Sequence, residues 1–184
     1  MNIFYISDDP KQCAEWMVDK HVVKMILESA QLLSTAHRVI DGMCVEVTYI
    51  SPKTQKPRKK KVWVLEDGRN DTLYNATHIN HPSAVWARKS ISNYLWLAEH
   101  LLALGDEYRF RYGKTHKSIE KLGYILQSPP LGLLEYNKTQ MPSCMPDEYI
   151  LASQDPITNY RNYYKYGKAR MHAWKKREAP SWIL

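Results

Sequence analysis

A chain of 184 residues has room for one domain with a real core and not for two. Its 44% hydrophobic content excludes a largely disordered chain, and no apolar run approaches the roughly 20 residues that span a bilayer. The net charge of +7 favours a polyanionic partner, because each phosphate neutralised by Lys or Arg releases condensed counterions.

In chain order, Asn2 to Ser7 reads as a short strand, and Asp8-Asp9-Pro10 as a helix start, with carboxylates to cap free N–H groups and proline in the first turn. A long helical pattern covers about Ala14 to Ile40 and ends at Asp41-Gly42. Cys44 to Ile50 and Val62 to Leu65 have the β-branched and aromatic residues of two strands. SPKTQKPRKKK lies between them, so a β-hairpin with a strongly basic tip is expected over residues 43–65. A second long helix is expected from Ser83 to Tyr112, closed by Gly113, and a shorter one from Lys117 to Leu126. Five prolines between Gln127 and Pro156 break any periodicity and predict a long loop packed on the body over about 127–157. A last helix is expected over Thr158 to Arg177. The expected fold is therefore mainly α: a single-domain helical bundle with a short N-terminal strand and an inserted basic hairpin.

The first long helix is apolar over most of its surface, but His21, Lys24, Glu28, Gln31, Thr35 and Arg38 fall on one arc of roughly 100°. Such a stripe is either a solvent-facing seam or the lining of a groove. In a groove, Glu28 beside Lys24 and His21 would act as a general base or stabilise a cationic transition state. His37 falls among apolar residues and is expected in the core.

The second long helix puts Lys89, Asn93, Trp96, His100, Glu107 and Arg111 on a common arc, a candidate opposite wall of that groove. In the last helix Tyr160, Tyr163, Tyr164, Gly167, Met171 and Trp174 share one face, and Arg161, Lys165, Lys168, His172 and Lys176 another. Interleaved aromatic and basic residues of this kind serve nucleic-acid binders for stacking and phosphate contact. With Lys53, Lys56, Arg58, Lys59, Lys60 and Lys61 of the hairpin they would form a continuous positive surface. His78 and His81 do not have a zinc spacing, and Cys13, Cys44 and Cys144 have no CxxC, so neither a metal, a cofactor nor a disulfide framework is expected.

Three of these segments together resemble the pyrimidine-dimer DNA glycosylases of the phage endonuclease V type. Asp19-Lys20-His21 followed by Glu28 is similar to that family's helix, whose catalytic glutamate has the same offset from its histidine. NYLWLAEHLLALGDEYRFRYG resembles the family's second long helix, and the run from Tyr163 to Ala169 resembles its aromatic, basic DNA-contacting tail. The pattern also resembles small uncharacterised proteins of large tailed phages. The resemblance implies an endonuclease V-like all-helical fold, with Glu28 as the catalytic carboxylate and the terminal α-amine as nucleophile.

The chain departs from that pattern in several places. Position 2 is Asn2 where the family has the reactive threonine, and the arm before the histidine is longer, which predicts a misplaced amine. Leu27 and Gln31 stand where the family has arginines, and the hairpin and proline-rich loop look like insertions.

The reading that unites these features is a monomeric cytoplasmic protein that binds duplex DNA and excises or processes a damaged or modified base. Glu28 and His21 would be its catalytic groups, with Lys24 or Met1 as the nucleophile. Arg58, Lys59, Lys60, Lys61, Lys89, Asn93, Trp96, His100, Arg111, Tyr164, Lys165 and Lys168 would contact nucleic acid, and Trp86 or Trp96 would wall a flipped base. Two alternatives use the same groove: an enzyme acting on a free nucleotide or modified base, and a non-enzymatic phage-type protein that sequesters a nucleotide or blocks a host factor.

Overall fold

The structure, a computed structural model, describes residues 1–153 and 155–184, and it is mainly helical with one small antiparallel sheet. Residue 154, inside the expected proline-rich loop, lies outside the described residues. Among the described residues no helix is long and apolar enough to cross a membrane.

The expected N-terminal strand does not form. Ile3, Phe4, Tyr5 and Ile6 are buried, but the segment pairs with no other strand and turns sharply at Phe4, whose φ of 56° is in the left-handed region. Side chains take the place of a ladder: Asn2 Oδ1 accepts from the N–H groups of Ile3 (2.7 Å) and Phe4 (3.2 Å), and Asn2 Nδ2 donates to the Cys144 carbonyl.

Helix α1 (Pro10–Glu15) starts as its sequence signals, with Asp9 Oδ1 capping the Gln12 N–H at 2.7 Å and Pro10 in the first turn. It ends at Trp16, and α2 (Asp19–Asp41) starts afresh, so the single expected helix from Ala14 is two. The break is held from outside. Arg111 donates to the carbonyls of Glu15 and Met17 and to Asp19 Oδ1, each at 2.9 Å, while the Trp174 indole donates to the Trp16 carbonyl.

At its far end α2 stops at Gly42, where a Cβ would lie 2.5 Å from the Arg38 carbonyl and 2.9 Å from that of Val64. Glycine is needed there for the close approach of the hairpin β1 (Met43–Ile50) and β2 (Pro57–Val64). The second strand is longer than expected. Arg58, Lys59, Lys60 and Lys61 pair in register with Tyr49, Thr48, Val47 and Glu46, so these cations lie along the strand and not at the tip. Polar Lys and Arg mask β propensity in a sequence reading, yet a two-stranded ribbon with both faces in water accommodates them.

After the short α3 (Arg69–Thr72) come α4 (Pro82–Ala87) and α5 (Ile91–Tyr112), another expected helix in two parts. Ser90 Oγ caps the Asn93 N–H at 3.2 Å and restarts the chain, and Gly113 closes α5 at φ 68° as expected. Helix α5 packs against both α1 and α2 to form the centre of the core. Gly105 admits α6 (Lys117–Leu122) so closely that a Cβ would lie 2.8 Å from Ile119.

The proline-rich segment is indeed a packed loop. Asn93 donates to Thr139 Oγ1 and accepts from its N–H, and Asp41 accepts from the N–H groups of Leu131 and Gly132. The last helix is shorter than expected. After α7 (Pro156–Asn162) the chain widens into a π-helical turn over Tyr163–Gly167, tightens over Ala169–Met171 and continues irregularly. The two-faced pattern therefore does not persist to Arg177.

Arg38 is the second buried anchor. It donates to the carbonyls of Tyr74, Trp63, Asn70 and Leu73 and to Asn70 Oδ1, over 2.6 to 3.0 Å, tying the hairpin root and the following loop to α2. Arg38→Met should therefore lower unfolding free energy by about 2–5 kcal/mol, as measured by urea titration, since four carbonyls lose their donor. Arg38→Lys should recover only a small part, because one ammonium cannot reach five dispersed acceptors.

Candidate functional site around Glu28

The polar stripe on α2 has two fates. Its C-terminal half, Thr35 and Arg38, is buried in structural hydrogen bonds, whereas His21, Lys24 and Glu28 line a cavity of about 420 Å³ with Met1, Asn2, Phe4 and Lys168. Gln31 is half-buried between the two halves.

Glu28 is set deep in this cavity, with its side chain 11% exposed. Its Oε1 is 3.2 Å from Lys24 Nζ, one helical turn earlier, and its Oε2 is 3.9 Å from the Met1 α-ammonium. The Asn2 N–H donates to the same Oε2 at 2.9 Å. The expectation of a misplaced amine is thus overturned. The longer arm folds back because the Asn2 side chain is pinned to the Cys144 carbonyl and accepts from the Tyr160 hydroxyl at 2.9 Å.

His21 is buried, stacked on Phe4 with ring centroids 4.1 Å apart, and its Nδ1 is 2.6 Å from the Tyr164 hydroxyl. Burial first, and the charges of Lys168 and Lys24 second, push its pKa down to about 3, so the ring is neutral at physiological pH. The Tyr164 phenol, itself driven upward by burial, stays protonated and donates to Nδ1, which leaves the imidazole proton on Nε2. Lys168 Nζ lies 4.6 Å from the Tyr163 ring and 5.7 Å from that of Phe4.

Lys20, Lys24, Lys168 and the α-amine surround the cavity, and Glu28 is the one carboxylate among the described residues lining it. This is an anion-attracting pocket with a single proton acceptor placed between two primary amines. Chemically, that set can deprotonate an amine for attack on an electrophilic carbon and hand the proton on.

The proposed second wall does not exist. Trp96 is buried, with its indole donating to the Asp8 carbonyl, and Trp86 likewise donates to Thr139. Asn93 holds Thr139 and the Trp86 carbonyl, His100 Nδ1 faces the Pro10 carbonyl, and Arg111 is fully enclosed against Glu107 and Asp19. These side chains occupy the core because the face of α5 that carries them packs on α1, α2 and the proline-rich loop, so Asn93, Trp96, His100 and Arg111 are not available to a nucleic acid. Lys89 is exposed on the turn after α4, outside the cavity.

In the tail, Tyr164 is a core residue that orients His21, Lys165 is half-buried, and Arg161 is spent between the rings of Trp16 and Trp182. His37 is a core residue as expected, 2.8 Å from the Tyr94 hydroxyl. His81 caps α4 through Nδ1, and among the described residues no cluster of His, Cys, Asp and Glu could hold a metal.

Phe4 and Asn2 are the site residues that sequence reasoning missed. No spacing signal marks either, since their roles come from the folded-back arm and not from a helix period.

Compared with protein-family models, with curated proteins and with solved structures, the chain has no match in any of the three.

Because His21 has a lower pKa in the folded chain than the roughly 6.5 of an unfolded histidine, the unfolded state binds more protons between these values. Its contribution is fully present above about pH 6.5 and declines as pH falls toward 3, at up to about 1.4 kcal/mol per pH unit. NMR titration should show the His21 ring uncharged at pH 5, and a ring that protonates near pH 6.5 would refute the assignment. Stability measured from pH 7 to pH 4 should fall more steeply in the wild type than in His21→Gln.

Proposed function

We propose that this chain processes a base or sugar in DNA by amine chemistry at the Glu28 cavity, in the manner of the pyrimidine-dimer glycosylases it resembles. The observation that supports this most directly is the juxtaposition of the Glu28 carboxylate with the Met1 amine at 3.9 Å. Should Met1 be removed, the Asn2 nitrogen is already 2.9 Å from the same oxygen.

In this reading Glu28 takes a proton from the α-amine, and the freed lone pair attacks the sugar C1′. The C1′–N bond breaks, and the base leaves with its electron pair and takes up the proton held by Glu28. Glu28 then removes a second proton from the nitrogen now bonded to C1′ and passes it to the ring oxygen as the C1′–O4′ bond opens, and the nitrogen lone pair closes the C=N bond of an iminium joined to the protein. The carboxylate also offsets positive charge that develops on the sugar. Neutral His21 on Phe4 supplies a flat floor for an extruded base without adding a competing charge, and Lys20, Lys24 and Lys168 attract the flanking phosphates.

The α-amine is favoured over Lys24 as the nucleophile because the Lys24 side chain is 67% exposed, whereas the arm that bears the amine is pinned and its terminal amine enclosed. A free nucleotide is the second reading, favoured by a cavity of about 420 Å³ that matches one nucleotide in size.

Borohydride trapping on duplex oligonucleotides with an abasic site, a thymine dimer or a modified pyrimidine tests the proposal. A covalent adduct is expected, slowed at least about 100-fold in Glu28→Gln and less than about 10-fold in Lys24→Ala, with mass spectrometry placing the adduct on the terminal residue. An adduct on Lys24 would reassign the nucleophile. No adduct with any duplex, together with turnover of a free nucleotide, would move the activity to the second reading.

A further inference from the structure

Residues 43–64 include six cations, Lys53, Lys56, Arg58, Lys59, Lys60 and Lys61, against one carboxylate, Glu46. Five of the seven net positive charges of the chain therefore sit in this one hairpin. It stands off the body: from Thr48 to Lys61 every residue is exposed except Ser51, and only toward the root do Val45, Val47, Val62 and Trp63 become half-buried. The root itself is fixed, by Arg38 on the Trp63 carbonyl and by the close approach at Gly42. The result is a rigidly mounted arm about 26 Å long.

The strand repeat distributes the charge. Successive side chains point to opposite faces, so Arg58 and Lys60 lie on one face and Lys59 and Lys61 on the other, all within about 10 Å of β2. Lys59 pairs with Glu46 at 2.8 Å and Lys60 covers the Tyr49 ring, while among the described residues no salt bridge engages Arg58 or Lys61. Edge lysines that merely prevent aggregation need no such concentration on both faces. Two basic faces on one thin ribbon match a partner with a negative wall on each side.

We infer that the β1–β2 hairpin inserts edge-on into the major groove of duplex DNA, with Arg58 and Lys60 contacting the phosphates of one strand and Lys59 and Lys61 those of the other. The B-form major groove, about 12 Å wide and 8.5 Å deep, admits a two-stranded ribbon. The A-form major groove of duplex RNA is too narrow for it. The root of the arm lies about 20 Å along α2 from Glu28, so the contact is separate from the cavity. The inference deepens the reading of the Glu28 cavity by giving its substrate a duplex form, but its test makes no use of that chemistry.

The test measures binding of the full chain to an undamaged DNA duplex of about 30 base pairs, longer than the expected footprint. Fluorescence anisotropy is followed at several salt concentrations, with dimethyl sulfate footprinting of guanine N7 in the major groove. Replacing Arg58, Lys59, Lys60 and Lys61 together by Gln should weaken binding about 100- to 1,000-fold near 0.1 M salt and flatten the slope of log K against log salt by about 3.6. It should also remove the N7 protection. Replacing four other exposed cations, Lys11, Lys114, Lys117 and Lys121, should change affinity less than about 3-fold.

The wild type should bind undamaged duplex in this way even if no adduct ever forms, which separates this inference from the proposed chemistry. Equal losses in the two four-site variants, protection confined to the minor groove, or equally tight binding of an RNA duplex of the same length would each overturn it. So would a wild-type chain that ignores DNA and binds polyglutamate instead, which would mark the arm as a dock for an acidic protein. The side chains substituted in the two four-site variants are exposed, and circular dichroism checks that each variant keeps its helices.

Discussion

A guanidinium with no access to water must find every partner inside the protein, and Arg111 finds them at the joint between α1 and α2. Its donors take the carbonyls left over where α1 ends, and Glu107 and Asp19 balance its charge. Glu107 in turn holds Arg177 at 2.8 Å, and Asp19 accepts from the Lys175 N–H, so the C-terminal segment is tied to the same joint. This network holds the break between the helices over Trp16 to Val18, beyond which α2 runs on to meet the N-terminal arm.

That meeting creates the cavity. The arm of residues 1–6 passes over the first three turns of α2, and Phe4 closes on His21 while Asn2 reaches across to Cys144 and Tyr160. The positive φ of Phe4 is a local cost of this path, offset by the hydrogen bonds that Asn2 supplies to the backbone around it. The same helix serves two ends. Near its start a partly buried carboxylate faces amines, and near its finish Arg38 clamps the root of a basic arm, so α2 acts as a strut that sets the spacing between pocket and hairpin.

Much of this was legible beforehand, and the reasons differ by element. Asp9-Pro10 and Gly113 were readable because caps are local: the hydrogen bonds they make lie within three or four residues. His21, Lys24 and Glu28 could be placed together because helical periodicity aligns them whatever surrounds the helix. The internal Ser90 cap was equally local but hidden in an apolar pattern that ran on through it. Trp96, His100 and Arg111 were misjudged for a different reason. Periodicity assigns residues to a face but does not say whether that face meets water, and α5 lies between α1, α2 and the proline-rich loop.

By itself the sequence determined a mainly helical chain, a basic hairpin, and a carboxylate, lysine and histidine on one stripe of one helix, since each depends on interactions between near neighbours. Only the tertiary structure decided which polar residues are buried struts and which face a cavity. It also brought the chain terminus to Glu28 and spread the hairpin cations over two faces of a ribbon. These outcomes rest on contacts between residues as far apart as Asn2 and Tyr160 or Glu15 and Arg111, and no local period encodes such contacts.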